Sequence, residues 1–458
     1  MTEVSPQPAA HVRLGLHPHR ARITCDVVTL SPLHIGSGVF DDTVMPPHTD
    51  DTTGQMVRPA LARCLRGDGD GDRFFLPGTA IKNLLRRHTA TGHCDELYGT
   101  VKNDGSGAMG AVLCWGGLCA KTGPVEDAPY AACLKNGGFA AARTAIDDAT
   151  GAAANNRLFF QEMVPPGSRF PIELLVVADT AEALRTRTAR LLGVLKGLGD
   201  GAAIGKGQAD GQGRIAIPWD TVTWEVRRLD RTGAFAAMDD TITPDEDAAA
   251  APFAAARTWT LDLTCEGPFM VVDSSYEAPG NGEGPQLRTQ TLNGMPLVPG
   301  SSIMGALHSR MEWIEACNGH EPDDPDAVYS TETAPARVQR LCGMTGFRGL
   351  LQARSVVVTA ASALPWDVTS VKIDRFSGGP FDSGLFCSRT YTGTSITVTL
   401  VLENRGTDAA QYGEDAAFVE EVLADLADEG LMLGHGTNKG FGWFTVTVRE
   451  EKSSQGGS

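Results

Sequence analysis

Four segments of the first half of this chain return, in the same order, in its second half, and that repetition constrains the fold more than any other feature. Each segment has to do the same packing job twice, which means two structural units of one kind. Phe75-Leu76-Pro77-Gly78-Thr79-Ala80-Ile81 matches Leu297-Val298-Pro299-Gly300-Ser301-Ser302-Ile303. Each reads as a strand, a Pro-Gly turn and a helix start, with Thr79 and Ser301 expected as N-caps. Leu97-Tyr98-Gly99 is echoed more faintly by Leu341-Cys342-Gly343. Ile146-Asp147 leads to Phe159 and Ile373-Asp374 leads to Phe386 with the same spacing. Each then runs into an alternating strand, 171–177 or 396–402, as an exposed hairpin rising from a sheet would. Last come two glycine loops of one spacing. Gly205, Gly207, Gly211 and Gly213 form the first, and Gly434, Gly436, Gly440 and Gly442 the second.

Amphipathic helices precede both loops. Asp179 and Glu182 are expected to cap the first, which sets Leu184, Leu191, Leu195 and Leu198 on one face. With opening strands at 23–30 and 259–265, each half reads β-α-β-β-α-β, the ferredoxin-like order. The expected fold is α+β: two tandem ferredoxin-like units with protruding hairpins and glycine-rich loops. The division is an N-terminal tail 1–21, a first unit 22–226, an acidic Ala-rich linker 227–257, a second unit 258–449 and a tail 450–458. No apolar run has the ~18 residues of a membrane span, and the N-terminus lacks the apolar block of a signal peptide. A cytoplasmic location with no membrane partner is the expectation.

The formal net charge of −17 argues against a polyanionic partner at face value. Many acids, however, fall in the stretch holding Asp239 to Asp247 and in that holding Glu321 to Asp326, where little fold is expected. Charges beyond about 8 Å are largely screened at physiological salt, so a local basic groove is compatible with the total. The helix after Pro77-Gly78 carries Lys82, Arg86 and Arg87, and the glycine loops carry Lys206, Arg214 and Lys439. The loops read either as tight turns or as nests of N–H groups around phosphate. A Walker loop is excluded, because Gly207 stands where Ser or Thr is required and a strand follows instead of a helix. Ten cysteines lie scattered with no CxxC. His93, Cys94, Cys114 and Cys119 could bind zinc, or the thiols could simply be buried in an apolar stretch.

The combination of Leu33-His34-Ile35-Gly36-Ser37-Gly38, Pro77 to Lys82, Ile146-Asp147-Asp148-Ala149-Thr150-Gly151 and the terminal glycine loop resembles the RAMP superfamily. Within it, the chain is similar to backbone subunits that line the guide RNA in type III CRISPR effector complexes. The resemblance implies partners: crRNA, complementary target RNA and other effector subunits. It implies thumb hairpins at Ile146, Asp147 to Phe159 and at Ile373, Asp374 to Phe386, wedged into the guide–target duplex. It implies guide-backbone contacts from the glycine loops and the helix of Lys82, Arg86 and Arg87. It also implies target-RNA cleavage by an aspartate in the loop after the first strand, assisted by a divalent cation, Mg²⁺ or Mn²⁺. Asp42 fits that place best, Asp41 next, and Asp273 arrives early in the second unit. His34 reads as structural. The alternatives are a purely binding subunit, a metal-independent guide-processing endoribonuclease, and a scaffold or small-ligand enzyme unrelated to RNA.

Overall fold

The structure, a computed structural model, describes residues 17–49, 56–67, 72–101, 107–134, 136–143, 159–230, 233–238, 241–250, 256–278, 284–319, 335–344, 347–359, 363–405 and 408–451. In the first unit β1 (His19–Thr29), α1 (Gly78–Arg87), β2 (Val112–Trp115), β3 (Arg169–Ala178), α2 (Ala181–Gly197) and β4 (Arg214–Ala216) follow one another. In the second, the order is β5 (Arg257–Cys265), α3 (Gly300–Cys317), β6 (Leu351–Val358), β7 (Thr394–Leu402), α4 (Ala409–Glu429) and β8 (Trp443–Glu451). The sheets run β2-β3-β1-β4 and β6-β7-β5-β8, with antiparallel neighbours throughout. That is one ferredoxin-like topology built twice, so the chain is α+β in tandem.

Burial alternates along β1, so one sheet face is apolar and has to be covered. Ile81, Leu84 and Leu85 of α1 and Leu184, Leu191 and Leu195 of α2 share a core with Ile23 and Val27. In the second unit Ile303 and Leu307 of α3 and Val419, Val422 and Leu426 of α4 pack on Leu261 and Leu263. Each completed core is what makes its unit a folding unit.

The helix starts differ from expectation. The N-caps of α1 and α3 are Pro77 and Pro299, with no side-chain cap, and the helices begin at Gly78 and Gly300. Thr79 and Ser301 therefore lie inside the first turn. The glycines are needed for space: a Cβ on Gly78 would lie 2.2 Å from the Cys114 carbonyl oxygen, and one on Gly300 2.0 Å from that of Asp210. Thr180, not Asp179, caps α2 by accepting from the Ala183 amide at 3.1 Å, while Asp179 pairs with His17 at 2.6 Å. The faint Leu-x-Gly echo marks the same device twice, a helix closed by Gly99 (φ 81°) or Gly343 (φ 99°).

Of the stretch 227–257, read as a linker, the described residues up to 250 fold onto the first unit, and Arg257 already opens β5. Pro218 has no N–H to donate, and a 3₁₀ turn at Trp219–Thr221 interrupts the last strand there. The strand then resumes at Thr223–Leu229 along His19 to Thr24 and turns back at Phe235–Met238. Residues 241–250 strap across α1 and α2: Ile242 joins the core, and the Asp245 amide donates to Ala189 O at 2.9 Å. Lys196 pairs with Glu246 at 2.5 Å, so these acids neutralise the unit's own helix instead of floating in a spacer. The first unit likewise begins before residue 22, since β1 starts at His19.

Among the described residues the two units touch at two places. Near one, the Tyr130 hydroxyl donates to Ser274 O at 2.6 Å, and Leu292 and Leu297 pack against Phe139 and Met163. At the other, the first glycine loop meets α3 and β6, where Arg214 Nη1 donates to Ser355 Oγ at 2.9 Å.

Candidate RNA interface and acidic loop

The glycine loops superpose residue for residue in conformation. Gly205 and Gly434 have φ of 82° and 86°, Gly207 and Gly436 76° and 83°, Gly211 and Gly440 70° and 83°, Gly213 and Gly442 70° and 70°. Their backbone bonds also match: Lys206 N donates to His34 O and His435 N to Met270 O, while Gly213 N donates to Pro32 O and Gly442 N to Pro268 O. The glycines are required by this closure. A Cβ on Gly213 would sit 1.9 Å from Ile204 O, and one on Gly442 1.9 Å from Leu433 O. Several loop amides are spent inside the protein, so the side chains offer more to a polyanion than the backbone does. Lys206 points its ammonium over the Phe159 ring at 6.0 Å, and Lys439 is exposed.

The three basic residues of α1 separate. Lys82 is half-buried beside Cys114. Arg86 donates to Gly99 O at 2.7 Å and Asp95 at 3.1 Å. Arg87 reaches the glycine loop, donating to Ala203 O at 2.7 Å and Gln208 at 3.3 Å. The corresponding residues of α3 are Met304, His308 and Ser309, so this basic set exists once.

Beside the first main sheet lies a smaller one, Gly36–Asp41, Leu61–Cys64, Phe159–Met163 and Phe139–Arg143. Asp41 pairs with Leu61, and Leu61 with Phe160, which places the acidic loop two strand spacings, about 10 Å, from the base of the first hairpin. Asp41 is committed to the loop: its Oδ1 accepts from the Thr43 amide at 3.0 Å and hydroxyl at 2.7 Å, and Arg63 stands 3.6 Å from Oδ2. Those bonds hold its carboxyl below the usual carboxylate range, with Thr43 the larger cause and Arg63 a smaller one. Asp42 is exposed and lines an open depression with Thr43, Pro47, Met56 and Arg58. Arg58 donates to Thr43 O and Met45 O at 3.1 and 3.2 Å, fixing the turn that presents Asp42.

Behind Asp41 is a network that pattern reading missed. The Glu162 carboxylate is fully buried and takes the Cys64 amide at 2.8 Å, Asn136 at 3.1 Å, Arg63 at 3.4 Å and Arg66. Its position two residues after Phe160, on the same face of the strand, with Arg63 and Arg66 on the paired segment, is the signal that could have found it. His34 is buried, and its Nδ1–H donates to Glu162 O at 2.7 Å, with burial depressing its pKa. It positions the loop and does not face solvent.

Asp273 has a different setting. The matched backbone bonds put Pro268, Phe269 and Met270 in the places of Pro32, Leu33 and His34, so Asp273 falls opposite Ser37, ahead of Asp41's place. It is buried, accepting from the Ser275 amide at 2.9 Å and from Arg288 Nε at 2.9 Å. That carboxylate closes a turn.

The second hairpin runs well beyond the expected 374–386, with strands Leu364–Ile373 and Pro380–Thr392. Asp374 forms its tip instead of its start: Oδ1 accepts from the Phe376 amide at 2.9 Å and Oδ2 from Ser377 at 3.1 Å. Phe376 is thereby held out at the apex, 101% exposed, and Ile373 and Phe386 are exposed below it. Ile146 and Asp147 lie outside the described residues; Phe159, where the first hairpin returns, is exposed.

Among the described residues, no three His, Cys, Asp or Glu side chains are grouped to hold a metal ion. Burial pushes the Cys114 thiol up to about 12, and Cys94 Sγ lies 3.4 Å from the carbonyls of Arg86 and Thr89. No described helix is long and apolar enough to cross a membrane.

Paired ferredoxin-like units, each with a terminal glycine loop and the second with a long exposed hairpin, define a class of tandem α+β proteins. The sequence profile of the RAMP superfamily matches residues 26–210 and 279–445, and the chain belongs to that family. Membership supports a CRISPR-associated, RNA-binding role. A search of curated proteins returns no match to this chain.

Proposed function

We propose that this chain lines the guide RNA of a type III CRISPR effector complex, beside other effector subunits, and cleaves complementary target RNA from its first unit. The observation that carries the reading is exposed Asp42, next after the end of the small-sheet strand Gly36–Asp41 and two strands from Phe159–Met163, on which the first hairpin returns. A nucleotide displaced by that hairpin would have its sugar and phosphate near the acidic loop.

The chemistry asked of the protein is modest. The 2′-hydroxyl of the displaced nucleotide attacks the adjacent phosphorus, a 2′-O–P bond forms, the P–O5′ bond breaks, the 2′ proton leaves, and the departing 5′-oxygen takes a proton from water. Asp42 orients that hydroxyl and accepts its proton. Arg58, on the same depression, faces the phosphate charge. Asp41 and Arg63 keep the loop in place. A divalent cation, if bound, would be held by Asp42 together with RNA phosphate oxygens and water, since no described cluster of three ligands is present. Such an ion would stabilise charge on the phosphate oxygens.

The test is a target-RNA cleavage ladder from assembled complex in Mg²⁺, run for wild type, Asp41→Ala, Asp42→Ala and Asp273→Ala. Asp42→Ala should remove one cut, on the order of 10²-fold or more, with guide binding intact. Loss of a cut only in Asp273→Ala would move the active unit. Uncut target despite confirmed binding would leave a purely binding subunit.

A further inference from the structure

Arginines from both units converge where the first glycine loop meets the second unit. Arg354, Arg405 and Arg348 lie 3.3, 2.5 and 3.6 Å from the Glu403 carboxylate, which is fully buried. Arg87 and Arg214 enter from the first unit, Arg214 bonded to Ser355 next to Arg354. Glu403 is the carboxylate that acts on Arg87, Arg348 and Arg354 alike, while Arg354 is opposed by Arg214 and Arg87 by Arg354. One negative charge therefore sits among several positive ones, in a protein whose net charge is −17.

Arg405 holds Glu403 Oε2 with Nε at 2.6 Å and Nη2 at 2.5 Å, while Arg354 and Arg348 share Oε1 at 3.3 and 3.6 Å. Arg87 and Arg214 add two further charges beside this set, so positive charge outnumbers the one carboxylate at the junction and favours an anion there. The guanidiniums are also reachable: the side chains of Arg348, Arg354 and Arg405 are 39, 35 and 30% exposed. Planar donor forks of this kind match phosphate oxygens in paired hydrogen bonds. The set exists once, because Trp443 occupies the second unit's counterpart of Arg214 and Ser309 that of Arg87.

We infer that this junction cluster is a phosphodiester-binding site, seating the backbone of a single RNA strand where it crosses from one unit to the other. The inference rests on the RNA-binding reading above and adds a place for the strand that neither the glycine loops nor α1 alone supplies.

The test is binding of a fluorescein-labelled oligouridylate to the full chain across a salt series. The variant is Arg348→Gln with Arg354→Gln, which leaves Glu403 paired with Arg405 and no buried charge alone. Thermal unfolding near that of wild type would show the fold intact. Affinity should fall about tenfold or more, and the log–log salt slope by about 1.4, the loss of two single-strand phosphate contacts. A second variant, Arg214→Gln, removes a junction arginine that does not touch Glu403, and should lower the slope by about 0.7. Wild-type affinity and slope in both variants would overturn the junction site while leaving RNA binding standing. Failure of the wild type to bind the oligonucleotide would overturn both readings.

Discussion

Asp41 and Asp42 are chain neighbours with opposite surroundings, and the difference comes from what their side chains can reach. Asp41 closes on Thr43 and faces Arg63; Asp42 makes no hydrogen bond or ion pair with the described residues and stands in the open depression. The sequence showed two adjacent acids at a suitable distance from β1, but not which was spent on the turn, because that depends on Thr43's rotamer and on Arg63 arriving from another strand. A second residue-scale prediction concerns His88. Burial, then the neighbouring Arg87 and Arg354, lower its pKa from 6.5 to about 4. Between those values the unfolded chain binds a proton that the folded chain does not, so stability rises with pH there. It is lost as pH falls from 6.5 toward about 4 and levels off below. His88→Gln should flatten that part of a Tm-against-pH profile; an unchanged slope would show that His88 titrates normally.

At the scale of elements, the repeat made the glycine loops legible and left their reason hidden. Spacing alone permits a phosphate nest, whereas the contacts show each loop closing on its own backbone. Gly442→Ala meets a carbonyl at 1.9 Å in a left-handed conformation, and should cost roughly 2–5 kcal/mol from strain plus overpacking. Gly440→Ala has the same handedness but open space around it, and should cost only about 1–2 kcal/mol. Urea unfolding of the two variants measures the gap. Equal costs would mean that the loop relaxes around the added methyl. The hairpin tells a similar story. Ile373-Asp374 was visible as a motif, but its place at the tip was not, since the outgoing strand precedes the motif and shows only in pairing, where Ser370 lies opposite Phe386 as Arg143 lies opposite Phe159. Phe376→Ala removes the fully exposed apex ring. It should leave Tm unchanged and weaken binding to a guide–target duplex more than to the single guide strand, as read by titration with each. Equal weakening would remove Phe376 from any wedging role.

For the whole molecule, periodicity and ordered repeats sufficed for two α+β units, because a ferredoxin-like sheet is specified by local strand and helix signals. The strap at 241–250 and the joins between units were not legible. Their residues look like an acidic, Ala-rich spacer until Lys196, Arg190 and the α1–α2 surface are placed against them. The same blindness concealed the junction arginines, which lie far apart in sequence and converge only when the first glycine loop docks on the second unit. This distribution also reconciles an acidic chain with an RNA partner: carboxylates such as Glu246, Asp425 and Asp415 are paired with their own unit's cations, and the surplus of positive charge is local. The central claim is that both units hold one guide strand. Its most direct measurement is sequencing of the RNA that co-purifies when the protein is expressed beside its neighbouring genes. The account predicts short RNAs of uniform length with a shared repeat-derived end and a variable body. Recovery of no RNA, or of fragments without a common end, would contradict it.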